Sequence, residues 1–429
     1  MTPPQATDPH DTRGSGNTLA ALRALTHDQR HAFAASFLGW VLDAFDFFLL
    51  IFCIRAIAED FGTDVKAVTV AVSLTLAMRP LGALLFGIAA DRFGRRPALM
   101  VNIVCFSMLE LLSAAAPSLA ALIILRAFFG VAMGGEWGVG AALAMESIPD
   151  QTRGVLSGLL QEGYVIGYLL AAVAFAVVFP TFGWRGMFVL GAAPALLVLY
   201  IRRSVKEPEV WRQTRLPGIA LFPALREHWK TFAYLVVLMT AFNFFSHGTQ
   251  DLYPTFLQVN RGLGTGTVAS IAVIYNLGAL LGGVLFGALS QRIGRKRAIV
   301  IAALLAVPII PLWTFARDVV SLALGAFLIQ FMVQGAWGAV PAHLNELSPG
   351  AVRGTFPGLA YQLGNLLAAA NATMQAAIAE RHGNDYALGL ALTTAIVALV
   401  LAAVTSMGPE ATGIAFDREA RAGDALRTR

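Results

Sequence analysis

Charge is what this chain has least of. Acidic and basic residues make up 13% of its 429 residues, against 57% hydrophobic, where a soluble globular domain carries about 25% charged. That shortage excludes a soluble fold and leaves an integral membrane protein, with a mean hydropathy of +0.67. Cysteine is scarce as well. Cys53 and Cys105 fall in predicted helices without metal-ligand spacing and read as small apolar side chains, so neither redox chemistry nor a metal is implied. The first thirty residues hold Pro, Asp, Thr and His but no short apolar core before a small-residue cleavage site, which argues against a cleaved signal peptide. No Gly-x-x-x-x-Gly-Lys-Ser/Thr string occurs, which argues against an ATP-driven pump. No nucleophile stands beside an activating base, so no enzyme is expected, and no cofactor beyond the proton.

In place of charge the chain has long apolar runs. Twelve stretches approach or exceed the roughly 20 residues that cross a bilayer. They lie at about 33–55, 67–90, 98–116, 118–145, 154–179, 186–203, 231–258, 266–289, 298–315, 319–342, 354–379 and 386–407. Lys and Arg sort by side: with the N-terminus inside, inner segments hold 23 of the 31, and the outer loops hold only Arg55, Lys66, Arg185, Arg261, Arg317 and Arg381. By the positive-inside rule both termini are expected in the cytoplasm, in a multi-pass protein of the plasma membrane. The net charge of +5 then reflects topology. Its basic residues are scattered over several loops, so no nucleic-acid partner is expected.

Self-comparison finds matches 200 residues apart. Gly87, Arg92, Gly94 and Arg95 recur as Gly287, Arg292, Gly294 and Arg295. Gly135, Trp137 and Gly138 recur as Gly335, Trp337 and Gly338, and Glu146, Pro149, Arg153 and Gly154 as Glu346, Pro349, Arg353 and Gly354. The chain therefore divides into a polar tail (1–30), a six-helix half (31–203), a linker rich in Arg, Glu and Pro (204–230), a second six-helix half (231–407) and a second tail (408–429). Tails and linker are expected on the cytoplasmic side. An even number of crossings gives both halves one orientation, related by an axis along the membrane normal, which is a known transporter plan.

Against this apolar background the segment from Asn243 to Thr255 stands out. On a helix turning about 100° per residue, Asn243, His247, Gln250 and Asp251 form one polar stripe. Polar and charged groups at membrane depth cost roughly 2.5 to 3.5 kcal/mol each, so they tend to face a cavity and mark a transport route. The repeat sets Asn243 and Ser246 opposite Asp43 and Asp46 of the first helix, which points to one central site shared by both halves. The acids within helices are Asp43, Asp46, Glu110, Glu136, Glu162 and Asp251, against two permanent cations, Arg79 and Arg126. Some acids are therefore left unpaired, and an unpaired carboxyl group in low dielectric can hold a proton near neutral pH.

These residues resemble the major facilitator superfamily over essentially the whole chain, which implies an all-α integral membrane fold of twelve helices in two parallel-related six-helix halves. The loop Gly87-Ile-Ala-Ala-Asp91-Arg92-Phe-Gly94-Arg95-Arg96 looks like the superfamily's signature. Asp43 and Asp46, Arg79-Pro80-Leu-Gly82 and Gly134-Gly135-Glu136-Trp137 are similar to organic-acid proton symporters. The string from Asn243 to Thr255 matches the motif of fungal lactate permeases in the sialate and lactate:H⁺ symporter family, and Gln362 and Asn365 match that family's Gln-x-x-Asn pair. Sialate members carry two additional central helices that this linker lacks, so the resemblance favours a short monocarboxylate.

Roles follow for individual side chains. Arg79, near the middle of helix 2, offers two parallel donors to a substrate carboxylate. The amides of Asn243, Gln250, Gln362 and Asn365, with His247, would orient a hydroxy- or keto-acid. Asp46 and Asp251 are the preferred proton carriers, with Asp43 close behind, and His247 one turn from Asp251 titrates together with it. Glu136 is as well suited to a salt bridge as to the proton route. Arg126 is expected to pair with Asp43, Asp46 or Glu136. Glu110 and Glu162 are weaker candidates, and Tyr164 and Tyr168 suit packing better than substrate contact. For gating, Asp91 would accept from a helix N-terminus and pair with Arg153, among Arg92, Arg95, Arg292 and Arg353; Gln291 replaces the acid in the second copy, which predicts a weaker gate. The expected activity is import of a small organic acid anion, of the lactate and pyruvate class, with H⁺ across the lipid bilayer, by a functional monomer. The alternative is metabolite:H⁺ symport of a different organic acid, a dicarboxylate, an aromatic acid or sialate; a dicarboxylate would need a second cation, which only Arg126 could supply. A non-transporting receptor is less favoured, because the tails are short.

Overall fold

The computed structural model describes residues 18–214, 221–414 and 416. Most of the expected N-terminal tail, the middle of the linker and most of the C-terminal tail lie outside the described residues.

Ten helical stretches are long and apolar enough to cross a membrane, and one of them, Asp150–Ser204, is 55 residues long. That stretch makes two crossings because Gly183 sits at φ 60°, a backbone conformation that side chains resist. With the two-piece helix near the C-terminus, twelve crossings result. The first half holds α1 (His27–Asp60), α2 (Val65–Phe93), α3 (Arg95–Ala114) and α4 (Leu119–Ser147). In it α5 starts as Arg153–Gln161, breaks at Glu162 and runs on in Gly163–Leu190 to Gly183, after which α6 ends with Ala195–Ser204. The second half holds α7 (Trp229–Gln250, continued by Tyr253–Val259), α8 (Thr265–Ile293) and α9 (Arg295–Ala306, then Ile310–Phe315). It ends with α10 (Val319–Gly338, then Val340–Leu347), α11 (Phe356–Ala368, then Asn371–Arg381) and α12 (Tyr386–Met407).

Local chemistry sets these boundaries. Thr26 and Gln29 form a reciprocal capping box at the start of α1, and Asp64, Ser118 and Asp318 cap α2, α4 and α10. Apolar runs that read as continuous are broken where proline withholds an N–H: Pro254 follows the break in α7, Pro308 and Pro311 mark α9, and Pro341 follows the break in α10. The break in α11 between Ala368 and Asn371 has no proline.

Within lipid there is no hydrophobic drive to bring helices together, so close backbone packing has to do it. The halves solve this in the same way. Gly130 and Gly134 of α4 lie on the backbone of α2 at Thr75 and Arg79, and Gly278 and Gly282 of α8 lie on the backbone of α10 at Phe327 and Phe331. Also, α1 packs on α5 and α7 on α11. Apolar side chains such as Leu85, Met108, Phe128, Val177 and Ile396 are left exposed on the outer surface, where acyl chains would cover them.

The two halves meet through α5 against α8 and α10, and through α11 against α2 and α4. Glycines again set the closest approaches, Gly154 and Gly158 against the carbonyl oxygens of Gly287 and Gly283, Gly87 against Thr355, and Gly138 against Gly358. All of these lie toward the face where α1 begins and α12 ends, called here the terminal face. The crevice is closed on that side. Further along α7, away from that face, His247 and Asp251 have side chains 38% and 37% exposed, as expected of groups lining an open cavity between the halves.

Candidate functional site

Arg79 sits at the centre of the first half, 4% exposed, on the stretch of α2 that Gly134 allows α4 to touch. A Cβ at Gly134 would stand 2.0 Å from the Arg79 carbonyl oxygen, so this glycine sets the depth at which the guanidinium is held. Its Nη2 lies 4.0 Å from Asp43 Oδ2, and its Nε and Nη2 have no hydrogen-bond partner. Those two atoms form one edge of the guanidinium. Arg95 and Arg295 use the same edge to hold Glu146 and Glu346 with paired hydrogen bonds of 2.9–3.0 Å. Arg79 therefore presents an unfilled fork of the shape that takes a carboxylate.

Two acids surround this fork. Asp43 is one turn of α1 from Gly39, over which a Glu136 oxygen lies so closely that a Cβ there would be 2.4 Å away. Both carboxyl groups are buried without a protein donor. Toward the opposite face a second cluster forms. Arg126 Nη2 bonds Glu110 Oε2 at 2.5 Å, and its guanidinium rests on the rings of Phe129 and Phe188 at 4.4 and 4.8 Å. The expectation that Arg126 pairs with Asp43, Asp46 or Glu136 is thereby corrected. Because α3 and α4 form a tight hairpin through residues 115–118, Glu110 and Arg126 fall at similar heights on adjacent helices. Asp46 and Glu110 both converge on Gly191 within α6, and the Asp46 oxygens have no partner of their own.

In the second half, His247 Nδ1 lies 3.2 Å from Asp251 Oδ1 and its Nε2 lies 3.2 Å from Asn365 Oδ1. A ring with a carboxylate at one nitrogen and an amide at the other can take up a proton at one side and release it at the other. Trp137 of the first half and Tyr361 of the second lie with ring centroids 4.7 Å apart, so both halves contribute to the centre. The polar stripe itself divides. Asn243 turns back to donate to Met239 O of its own helix at 2.8 Å, and Gln250 donates to Gln330 of α10 at 3.0 Å, so these two face protein while His247 and Asp251 face the cavity. Gln362 is buried with neither amide atom partnered.

Aromatic side chains line the middle. Trp40 stacks on Tyr164 with centroids 5.7 Å apart, Phe48 sits edge-on to Tyr164 and Tyr168, and Tyr361 bridges Trp137 and Trp337 at 4.7 and 5.8 Å. Sequence reasoning missed Gln330, Tyr361, Asn371 and Gln375. The buried amides of α11 carried a signal, since Asn371 and Gln375 are one turn apart within the eleventh apolar stretch.

At the terminal face the repeated loops form a lock. Asp91 accepts from the N–H groups of Gly354 and Thr355 at 2.7 and 3.1 Å and from Arg95 at 2.6 Å. It thus caps α11 of the opposite half, as its charge favours. Gln291 does the same for α5, accepting from Gly154 N at 2.8 Å. The expected pair of Asp91 with Arg153 does not form. Arg153 lies 4.0 Å from Glu346 and Arg353 lies 3.7 Å from Glu146, two ion pairs that cross between the halves. Arg92 and Arg292 are exposed and outside this network. The tail seals it: Ile414 O accepts from Arg153 at 2.6 Å, and the buried Phe416 ring lies between Arg153 and Arg353, 3.6 and 3.7 Å from their central carbons.

Two further acids, missed in the sequence, brace the loops. Glu207 accepts from Arg95 N and Arg96 N at the start of α3, and Glu410 from Arg295 N and Lys296 N at the start of α9. Burial pushes the Glu207 carboxyl above its ordinary range despite those donors. For Glu410 burial pushes upward too, but the bonds from Thr412 and the α9 backbone outweigh it and hold it below 4.5. The two acids are 203 positions apart, so a fixed 200-residue offset passes over them.

Twelve crossings in two halves, a central polar cavity and a lock on one side define a membrane transporter. A model of the Major Facilitator Superfamily matches residues 36–372 and 252–422. The chain belongs to that superfamily. It is 28% identical over 433 residues to a carboxylic acid transporter protein homolog of Saccharomyces cerevisiae, covering 92% of this chain and 70% of that one. It is 30% identical to the sialic acid transporter NanX of Escherichia coli, covering 86% and 91%. Among solved structures, the proton:xylose symporter XylE superposes with a TM-score of 0.73 at 19% identity, over 92% of this chain and 98% of that one.

Proposed function

We propose that this transporter is a proton-coupled symporter that imports a short monocarboxylate, of the lactate and pyruvate class, with its termini and lock on the cytoplasmic side. The observation that carries the reading is the Nε/Nη2 edge of Arg79, buried at the centre of the first half without a hydrogen-bond partner. One carboxylate fits that edge. Arg126, the other cation at membrane depth, is committed to Glu110, which leaves a second substrate carboxylate without a partner and disfavours dicarboxylates. Relatives named for carboxylic acid and sialic acid transport support an organic acid as substrate.

Charge balance supplies the coupling. Arg79 stands among Asp43 and Glu136, and Arg126 among Glu110 and Asp46, so four carboxyl groups share two cations. A substrate carboxylate that takes the Arg79 fork withdraws the cation from its neighbours, and a proton on Asp43 or Glu136 restores the balance. His247, Asp251 and Asn365 form the facing wall, able to orient the acid and relay a proton. One anion with one proton crosses as a neutral load, so a membrane potential, worth about 2.3 kcal/mol per charge per 100 mV, neither drives nor opposes it.

The aromatic walls favour a second reading, a cyclic monocarboxylic acid packed against Tyr164 and Tyr361. The test is uptake of labelled L-lactate into proteoliposomes under an inward proton gradient, with and without an ionophore. Accumulation abolished by the ionophore is expected. Absence of lactate uptake under both conditions, with uptake of an aromatic monoacid, would replace the short acid by the cyclic one; uptake indifferent to the ionophore would refute symport.

A further inference from the structure

One buried acid plays no part in either cluster. Glu162 sits at the break in α5, 1% exposed, with both carboxyl oxygens lacking a protein donor. It projects across the boundary between the halves: a Cβ built on Gly283 of α8 would fall 1.7 Å from its Oε1, and the Gln334 carbonyl oxygen of α10 also borders that spot. The position is the floor of the cavity, just above the Gly154–Gly287 and Gly158–Gly283 contacts that close the crevice.

The neighbouring elements offer it no partner. The titratable groups they carry include Asp43, Asp46 and Cys53 on α1, Arg126, Glu136 and Glu146 on α4, Tyr275 and Arg292 on α8, His343 and Glu346 on α10, and Arg153, Tyr164 and Tyr168 on α5 itself. None of these is bonded to or ion-paired with Glu162 among the described residues. An ionised carboxylate shut away with neither donor nor cation is far more costly than the neutral acid. Yet the site is not permanently dry, because it lies on the surface along which the two halves must part when the terminal face opens.

We propose that Glu162 is the group from which the transported proton leaves on the terminal side: it is neutral while α5 is packed on Gly283, and it ionises when the halves separate and water reaches it. The proton that entered with the substrate on Asp43 or Glu136 then refills Glu162, so the floor closes again over a neutral acid and one proton has crossed per substrate. This inference rests on the proton-symport reading and adds to it a defined exit, distinct from the groups around Arg79. Gly283 is the matching element in the second half, because any side chain there would occupy the space of the carboxyl group.

The experiment uses the full chain in proteoliposomes with labelled L-lactate, comparing wild type, Glu162→Gln and Glu162→Asp in two assays. Counterflow at equal pH reports the conformational cycle without net proton release, and gradient-driven accumulation reports coupling. A gradient of about one pH unit sustains about tenfold accumulation for one proton per substrate. Glu162→Gln, an uncharged stand-in for the neutral acid, is expected to keep counterflow while its accumulation falls to about unity, and Glu162→Asp to recover part of the tenfold ratio. Wild-type accumulation in Glu162→Gln would overturn the proposal. Loss of counterflow in both variants would also overturn it, by marking Glu162 as a packing residue. Absence of ionophore-sensitive accumulation in the wild type would instead refute symport itself.

Discussion

Replacing Arg79 by lysine isolates geometry from charge. The guanidinium offers a carboxylate two parallel donors from Nε and Nη2, the edge that holds Glu146 on Arg95 and Glu346 on Arg295. Lysine keeps the positive charge between Asp43 and Glu136, so these acids retain their counter-ion and the fold is expected to survive. What is lost is one of two charge-assisted hydrogen bonds to the substrate. Each is worth about 1.5–3 kcal/mol, which at about 1.4 kcal/mol per factor of ten predicts an affinity for L-lactate lower by roughly 10- to 150-fold. Arginine to alanine is less informative, because stripping the cation from buried acids costs about 3–5 kcal/mol by itself and confounds binding with folding. The assay is isothermal titration of purified protein with L-lactate, alongside a thermal melt of both forms. An unchanged Tm with a 10- to 150-fold rise in Kd is the expected pair of results. Wild-type affinity in Arg79→Lys would show that the fork does not hold the substrate and would remove the basis for a monocarboxylate.

Gly134→Val is expected to lower both Tm and substrate affinity, because its Cβ would meet the Arg79 backbone at 2.0 Å and overpacking of this kind costs about 1–3 kcal/mol; Gly266→Ala, with nothing within 4 Å, is the control that should leave both unchanged. Phe416→Ala removes two cation–π contacts, each about 0.5–1 kcal/mol, and should shift the terminal face toward opening by about 5- to 30-fold; spin-label distances across that face measure this, and an unaltered distribution would refute a latching role. Glu410 is held below its ordinary 4.5 by its hydrogen bonds. The stability it contributes is therefore present above pH 4.5 and lost as pH falls through the depressed value, so the Tm gap between wild type and Glu410→Gln should close in acid, and a gap that widens there would contradict the assignment.

The class of structure was legible along one dimension. Scarcity of charge required a membrane fold, twelve apolar runs set the number of crossings, and the 200-residue repeat set the two-half plan, because each of these is a property of composition or spacing along one dimension. The groups at the centre were legible for a related reason: an arginine or an acid inside an apolar run is conspicuous wherever it lies. Partners were not. Arg126 finds Glu110 through the height at which a hairpin sets two helices, Asn243 and Gln250 turn away from the cavity, and Asp91 caps α11 in place of pairing with Arg153. Glu207 and Glu410 fell outside the repeat offset, and Phe416 has no local feature that announces a place between two arginines. These pairings arise in three dimensions, because contact between residues hundreds of positions apart depends on helix rotation, crossing depth and the closing of one half on the other, and backbone packing at glycines such as Gly134, Gly158 and Gly283 sets all three.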